Sequence, residues 1–426
     1  MIKMIKVIKR FVTESKNQTR DAYIWNIIAC TSNSFQTVIL LIVFTQYSNL
    51  DHASFFTMGI AVANLFMMVG KYGVRNYQVS DVNCKYNYRE YCFSRSVTTA
   101  AMVLCCVLYI IYGIKRNGFT YEKAMSISLI CLMRVIDVVE DVIHGWFQQN
   151  KRMDIAVKIQ GIRTVMYIAV LAVTYIIKKD LIFSLTFGLI ISILISVTFN
   201  FSVYYMIDEK RYVIYKNIFK IIAECTPIAI STFVVMYLGN APKYIIDSNV
   251  STNVQSCFNI VFMPSMVITL LSNYVFLPII NKISHIWNDG DKKKFLVYTF
   301  RQILIIIFVT IFAIVFGHII GLKLLGLIYN VKLEEYSSIL KVLLVSGGFT
   351  AILNLLNIVL TITRRQSILM YVYIVGTAIM FLFGKKILLG YGILGLCVFH
   401  GICLFAAAVI LYIFILYYCS KTEKEL

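Results

Sequence analysis

The side chains best suited to chemistry lie in one otherwise apolar stretch, residues 124–147. It contains five ionisable residues, Arg134, Asp137, Glu140, Asp141 and His144. At about 100° per residue, all five fall on one helical arc of about 120°. Such a stripe in a membrane helix should face a wet interior, because charge in lipid is costly. Two interpretations stay open: a pathway for substrate or coupling ions, and an internal salt-bridge ladder that pairs Arg134 with Asp137 at i,i+3.

A second group of polar residues surrounds the stretch 221–241. Glu224 lies three residues before Pro227. A carboxylate beside a proline kink could take up a proton or a cation, or could pair with a lysine from a loop. Asn240 and Lys243 follow at the outer end. Lys243 could hold a phosphate as a point charge, or could pair with Asp247 four residues later.

A third candidate surface is the tyrosine-containing loop 71–81. Arg75 and Asp81 in this loop could bind a polar ligand at the inner mouth of a pathway. The alternative is an ordinary basic cytoplasmic loop with interfacial aromatic residues.

Composition identifies the medium in which these residues work. Apolar residues make up 59% of the 426 residues and charged residues 14%, against about 45–50% and about 25% in soluble domains. Mean hydropathy is +0.78. These values exclude a soluble enzyme, a disordered chain and a secreted disulfide scaffold. Neither a metal-ligand spacing of Cys and His nor a cofactor motif is present, so no cofactor or nucleic-acid partner is expected.

About twelve segments are long and apolar enough to cross a membrane as helices. They are 22–45, 53–70, 97–114, 124–147, 159–177, 181–206, 221–241, 255–280, 302–322, 338–362, 367–383 and 393–418. The net charge of +19 reflects Lys and Arg concentrated in the segments that lie inside when both termini are cytoplasmic. We therefore predict an all-α, multi-pass integral membrane protein.

The longest basic break, residues 208–220, divides the spans into two groups of six. We predict an N-terminal six-helix lobe over 1–207 and a C-terminal six-helix lobe over 208–426. Both halves start on the same side, so any internal repeat is parallel. The predicted architecture is two six-helix lobes around a central cavity.

The order and spacing of several segments resemble the Wzx-like polysaccharide and O-antigen flippases of the multidrug/oligosaccharidyl-lipid/polysaccharide exporter superfamily. The resemblance extends over nearly the whole chain. The segments that carry it are Tyr72–Asp81, Asp141–Gln149 with Arg152–Asp154, Glu224–Pro227, Asn240–Asp247, Met263–Pro264 and Tyr391–Gly395.

The resemblance implies alternating-access translocation of undecaprenyl-diphosphate-linked oligosaccharide units across the bacterial cytoplasmic (inner) membrane. The product would feed cell-surface polysaccharide such as lipopolysaccharide, with a polymerase and glycosyltransferases of the same pathway as partners. Mapped onto this chain, the substrate-binding candidates are Arg75, Arg134, Asn240 and Lys243. The candidates for coupling-ion binding or gating are Asp137, Glu140, Asp141 and Glu224.

Two other functions are weighed against this one. A cation-coupled multidrug exporter of the same superfamily would have a more apolar and acidic cavity, and the acidic residues of 124–147 leave it open. A membrane glycosyltransferase or polymerase is disfavoured, because the predicted outer loops are short and no GxSxG, HExxH or P-loop motif occurs. We therefore expect a transporter and not an enzyme.

Overall fold

The computed structural model describes residues 10–15, 17–47, 50–81, 85–204, 206–207, 214–247, 249–363, 365 and 367–422. All regular structure within these ranges is helical, which confirms the predicted class. In chain order the first helices are α1 Gln18–Tyr47, α2 Leu50–Lys71, α3 Val74–Ser80, α4 Tyr88–Asn117, α5 Tyr121–Gln149, α6 Met153–Lys178, α7 Leu181–Tyr204 and α8 Tyr215–Asp247.

The remaining helices are α9 Thr252–Asn288, α10 Lys292–Phe316, α11 Leu322–Tyr329, α12 Ser337–Ile362 and α13 Ser367–Thr422. A π-helical turn, Gly317–Gly321, joins α10 to α11, and a 3₁₀ turn, Glu334–Tyr336, precedes α12. Helix α13 is broken at Gly392, whose φ of 67° and ψ of −168° suit a residue without a side chain.

Ten helical segments of the described chain are long and apolar enough to cross a membrane. Two differences explain why the sequence predicted about twelve. Helix α5 is long enough but carries the ionisable stripe, and α13 holds two predicted spans, 367–383 and 393–418, on either side of Gly392. Large apolar side chains such as Phe308 and Phe381 are 72% and 73% exposed, which fits lipid as their solvent. The protein is thus a multi-pass membrane protein.

The chain forms two compact units, Met1–Phe233 and Val234–Leu426. In the first, α6 packs between α1 and α7, and α5 packs against α2 and α4. In the second, α12 packs against α9, α10 and α13. The division between the units falls inside α8. The predicted boundary between 207 and 208 adjoins residues 208–213, which lie outside the described residues, and it stays a prediction.

The start of α4 is held by a reciprocal cap. The Asn87 side chain accepts a hydrogen bond from the Glu90 amide, and the Glu90 carboxylate accepts one from the Asn87 amide. The same carboxylate accepts hydrogen bonds from the Ile214 amide and the Asn217 side chain, both at the beginning of α8. This cap therefore fixes α4 and the start of α8 together within the first unit.

Gly73, between α2 and α3, lies against α8. Its φ is +70°, and a Cβ there would lie 2.6 Å from Cγ2 of Ile228. Gly290 has a similar φ of +77° but open space around it. Gly73→Ala should therefore lower stability by the left-handed strain of about 1–2 kcal/mol plus an overpacking cost of about 1–3 kcal/mol.

Thermal unfolding of the detergent-solubilised protein measures this difference. Gly290→Ala is the matched control, because it carries the backbone strain without the clash. We expect the larger fall in unfolding midpoint for Gly73→Ala. Equal falls in the two variants would show that the Gly73 backbone is not in close contact with Ile228 of α8.

Candidate functional site

The first cluster of functional candidates joins α5 to α6. Arg134 Nη1 donates to Asp137 Oδ2 at 2.8 Å, as the i,i+3 spacing predicted. Arg163 of α6 pairs with both Asp137 and Glu140, the latter at 3.0 Å. The Arg163 and Glu140 side chains are only 4% and 2% exposed. These ionic groups are therefore removed from solvent and satisfy one another, which a buried charge requires.

Neighbouring helices complete this cluster. The second oxygen of Glu140 accepts a hydrogen bond of 2.9 Å from Asn200 Nδ2 of α7. One turn beyond Arg163 on α6, the Tyr167 hydroxyl donates to Gln36 of α1. The polar stripe of α5 thus belongs to a network that ties α5, α6 and α7, with a polar contact from α6 to α1.

A second cluster surrounds Asp141, one turn further along α5. Arg95 of α4 donates to its Oδ2 at 2.7 Å, and Arg75 of α3 lies 3.6 Å from its Oδ1. Arg95 also donates to the Gly70 carbonyl at 2.5 Å, while Arg75 donates to Gln148 Oε1 at 2.8 Å. The longer distance and the 24% exposure of the Arg75 side chain make its contact with Asp141 the weaker of the two.

The ionic residues of these two clusters do not balance. Four arginines face three carboxylates, and His144, also buried, adds no charge when neutral. Every one of the three carboxylates has at least one arginine partner. The contacts therefore agree with the salt-bridge interpretation of the stripe, and a coupling-ion role for Asp137, Glu140 and Asp141 stays a prediction.

Sequence reasoning missed Arg95 and Arg163. Arg95 lies two residues before the predicted span 97–114, and Arg163 lies four residues inside the edge of the predicted span 159–177, so both count with the basic residues of the adjoining loops. In the structure Arg95 lies seven residues after the start of α4 and Arg163 ten residues after the start of α6, and each is only 3% exposed. The sequence did offer one indication of these residues. If a membrane helix extends beyond its apolar run, an arginine at the edge of that run becomes buried and needs a carboxylate partner.

The predicted candidate Glu224 lies in a separate polar cluster. Its carboxylate accepts from Lys85 Nζ at 3.0 Å, from the Tyr86 hydroxyl at 3.3 Å, and from the Tyr77 hydroxyl. Glu224 is 37% exposed and Lys85 56%. These contacts therefore agree with the interpretation in which Glu224 pairs with a lysine from a loop. Asp81, predicted with Arg75 as part of a ligand surface, accepts hydrogen bonds from the Lys85 and Tyr86 amides, and ligand binding at this loop stays a prediction.

The Glu224 cluster changes the acidity of its neighbours outside the spans. Burial, and then the hydrogen bond to Glu224, raise the pKa of Tyr77 to about 12. Hydrogen bonds to Tyr86 and Glu224 raise the pKa of Lys85. Tyr77 and Lys85 therefore keep their protons throughout the physiological range, and each remains a donor to Glu224.

Glu224→Gln tests whether this cluster serves stability or the transport cycle. Because exposed ion pairs contribute about 0–1 kcal/mol, we expect the unfolding midpoint to change little. A loss of transport in folded Glu224→Gln protein would then reflect a role in the cycle. Glu334→Gln, at an exposed glutamate of the second unit, is the control. A large fall in midpoint for Glu224→Gln would instead assign the cluster to stability.

Lys243 lies in the second unit, and its position differs from the prediction. Helix α8 continues through Pro242 to Asp247, so Lys243 belongs to a helix and not to an outer loop. Its side chain is 4% exposed, and Nζ lies 4.4 Å from the centre of the Phe262 ring. A cation over a ring face is attracted by its quadrupole. No described carboxylate forms a salt bridge with Lys243.

The predicted alternative partner, Asp247, is engaged elsewhere. It accepts a hydrogen bond of 2.7 Å from Gln255 Nε2 of α9. Asn240, one turn before Lys243, donates to the Met236 carbonyl at 3.2 Å. Gln255, Asn259 and Phe262 recur at i, i+4 and i+7 and so share one face of α9. Lys243 is thus buried beside one aromatic ring on this polar face, and its role in binding an anion stays a prediction.

Fold and site together define an all-helical, multi-pass membrane protein with buried ionic clusters. No protein-family model and no curated protein matches the sequence. Solved structures do match it. One is the inward-facing conformation of a multidrug resistance MATE family transporter of the MOP superfamily, with a TM-score of 0.68 and 13% identity. The match covers 94% of this chain and 99% of that chain.

Two further structures show the same likeness. A MATE in complex with MaD3S has a TM-score of 0.61 and 14% identity, and covers 98% of this chain and 99% of its own. A MOP superfamily transporter from Pyrococcus furiosus has a TM-score of 0.58 and 13% identity. That protein is described as having a binding pocket of reverse polarity, which suggests a different function for it. That match covers 97% of this chain and 98% of the other. The chain therefore has the two-lobed, all-helical fold of MATE transporters.

Proposed function

We propose that this protein is a transporter that moves undecaprenyl-diphosphate-linked oligosaccharide units across the cytoplasmic membrane by alternating access, for cell-surface polysaccharide biosynthesis. The observation that carries the proposal is the excess of arginine over carboxylate in the clusters around α5. A diphosphate is anionic, and guanidinium groups bind phosphate through paired, charge-assisted hydrogen bonds.

The proposed roles follow from how tightly each cation is held. Arg75 can exchange its 3.6 Å contact with Asp141 for a phosphate, because that contact is long and the side chain is partly exposed. The Arg134 guanidinium lies 2.8 Å from the Asp137 carboxylate. Arg134 would therefore bind substrate only after leaving Asp137, which would keep Arg163 as its ionic partner. Lys243 and Asn240 would bind the anionic or sugar part in the second unit. Asp137, Glu140, Asp141 and Glu224 are proposed to act in coupling or gating.

The second candidate is the cation-coupled multidrug exporter, which the likeness to a multidrug resistance MATE transporter favours equally at the level of fold. A cationic drug needs an available carboxylate. In the described part of α5 each acidic residue of the stripe holds an arginine, and Glu224 holds Lys85. This pattern of occupied carboxylates supports an anionic substrate in preference to a cationic one.

The test is a translocation assay with purified protein in lipid vesicles. Labelled undecaprenyl-diphosphate oligosaccharide starts in one leaflet, and an added enzyme reports the label that becomes accessible in the other. Protein-dependent exposure of unchanged oligosaccharide is the expected result, with protein-free vesicles as control. A lengthened sugar would identify an enzyme. No exposure by folded protein, together with uptake of a cationic dye, would establish the drug exporter instead.

A further inference from the structure

A groove lies on the second unit, where the start of α10 meets the end of α13. Its volume is about 440 Å³. Helix α10 contributes Lys292 and Leu296 to its lining, and α13 contributes Ile413, Leu416, Tyr417, Cys419 and Ser420. Ile413, Leu416 and Tyr417 are 58%, 38% and 61% exposed. The groove therefore opens on a surface of apolar side chains, which in a membrane protein is the kind of surface that lipid covers.

The groove begins at the depth of the lipid headgroups and stays within one leaflet. Helix α10 starts at Lys292, and α13 ends two residues after Ser420, so both helices end here. Three consecutive lysines, residues 292–294, mark this as the predicted cytoplasmic end. From Ser420 to Ile413, α13 rises about 10 Å at 1.5 Å per residue. The hydrocarbon of one leaflet is about 15 Å deep, so the groove matches part of one acyl chain.

The polar end of the groove holds a cation without a counter-charge. The Nζ atom of Lys292 is buried and has no hydrogen-bond partner among the described residues. The preceding residue, Asp291, caps α10 instead: its side chain accepts a hydrogen bond of 2.9 Å from the Lys294 amide. The Ser420 hydroxyl donates to the Tyr417 carbonyl at 2.8 Å. A buried ammonium group is costly unless it is paired, so this end of the groove requires an anionic oxygen from outside the chain.

We infer that the groove binds an anionic glycerophospholipid of the surrounding leaflet, with its phosphate at Lys292 and one acyl chain along Leu296 and Ile413. Lipid is the medium at this surface, and the cytoplasmic leaflet is the one that carries anionic lipid. A lysine binds phosphate as a point charge. A zwitterionic lipid brings an ammonium group of its own, which Lys292 repels. The site uses none of the residues proposed to bind substrate, so the inference does not depend on the proposed function.

The test measures lipid binding to the purified protein by native mass spectrometry. The protein is titrated with phosphatidylglycerol and with phosphatidylcholine of identical acyl chains, which gives two dissociation constants. Lys292→Gln removes the buried ammonium group, and Lys292→Arg keeps a positive charge at the same position. Lys293→Gln is the matched control, because Lys293 is exposed, carries the same charge and is not part of the lining.

We expect the native protein to bind phosphatidylglycerol at least about tenfold more tightly than phosphatidylcholine, a difference of about 1.4 kcal/mol. Lys292→Gln should lose most of this preference, whereas Lys292→Arg and Lys293→Gln should keep it. The inference is overturned if the native protein has no preference, or if Lys293→Gln loses as much of it as Lys292→Gln, which would indicate general surface charge. It is also overturned if inorganic phosphate displaces phosphatidylglycerol, because the site would then take a free anion. Tighter, Lys292-dependent binding of undecaprenyl phosphate would assign the groove to the substrate lipid instead.

Discussion

Arg163→Met is expected to destabilise the first unit by about 3–5 kcal/mol, because it leaves buried carboxylates without their main partner. Glu140 would keep only the neutral Asn200 amide, and Asp137 would keep only Arg134. Both carboxylates pay the desolvation cost of burial that Arg163 now offsets. Thermal unfolding and the fraction of monodisperse protein after solubilisation measure the loss.

The control for Arg163 is Arg116→Met, at an exposed position near the end of α4, which should leave the midpoint nearly unchanged. A second variant separates lost charge pairing from lost packing. Glu140→Gln combined with Arg163→Met removes the unpaired carboxylate while Asp137 keeps Arg134, so it should recover part of the stability. If Arg163→Met unfolds like the native protein, the buried charge network does not stabilise the fold.

In contrast to Arg163→Met, Lys243→Met is expected to lose transport while its thermal stability is unchanged or increased. Lys243 is a buried cation without a described carboxylate partner, and burying a charge costs free energy that a methionine of similar shape does not require. If Lys243 binds the anionic substrate, removal of its charge should reduce translocation at least about tenfold, the equivalent of 1.4 kcal/mol in a charge-assisted contact.

Lys385→Met is the control for this variant, because Lys385 is exposed in α13. It should translocate like the native protein. Retained transport by Lys243→Met would exclude Lys243 from substrate binding. A pronounced loss of stability in that variant would mean that the contact with Phe262 serves folding.

The sequence by itself determined the class of the protein and much of the organisation of its helices. Apolar content and the length of the apolar runs require lipid as solvent, so an all-helical membrane fold follows whatever the partners are. Helical periodicity also placed the charges of α5 on one face, and the i,i+3 spacing predicted the Arg134–Asp137 pair that is observed. Local geometry is sufficient for these features, because each depends only on residues within one helix.

Helix ends were less accessible to sequence reasoning. Lys243 lies two residues beyond the predicted span 221–241, yet α8 continues to Asp247. Arg75 was predicted in a loop, yet the short helix α3 carries it. The reason is that hydropathy marks the apolar part of a helix, whereas packing and capping decide how far the helix continues into polar sequence.

Only the tertiary structure decided which charges meet. Asp141 pairs with Arg95 of α4, Glu140 with Arg163 of α6, and Glu224 with Lys85, over separations of 46, 23 and 139 residues. The cost of burying a charge predicts that each must find a partner. It does not say which one, because the partner is set by how α4, α5, α6 and α8 pack side by side. The sequence thus determined that the buried carboxylates of this membrane protein need cationic partners, and the packing of its helices chose those partners.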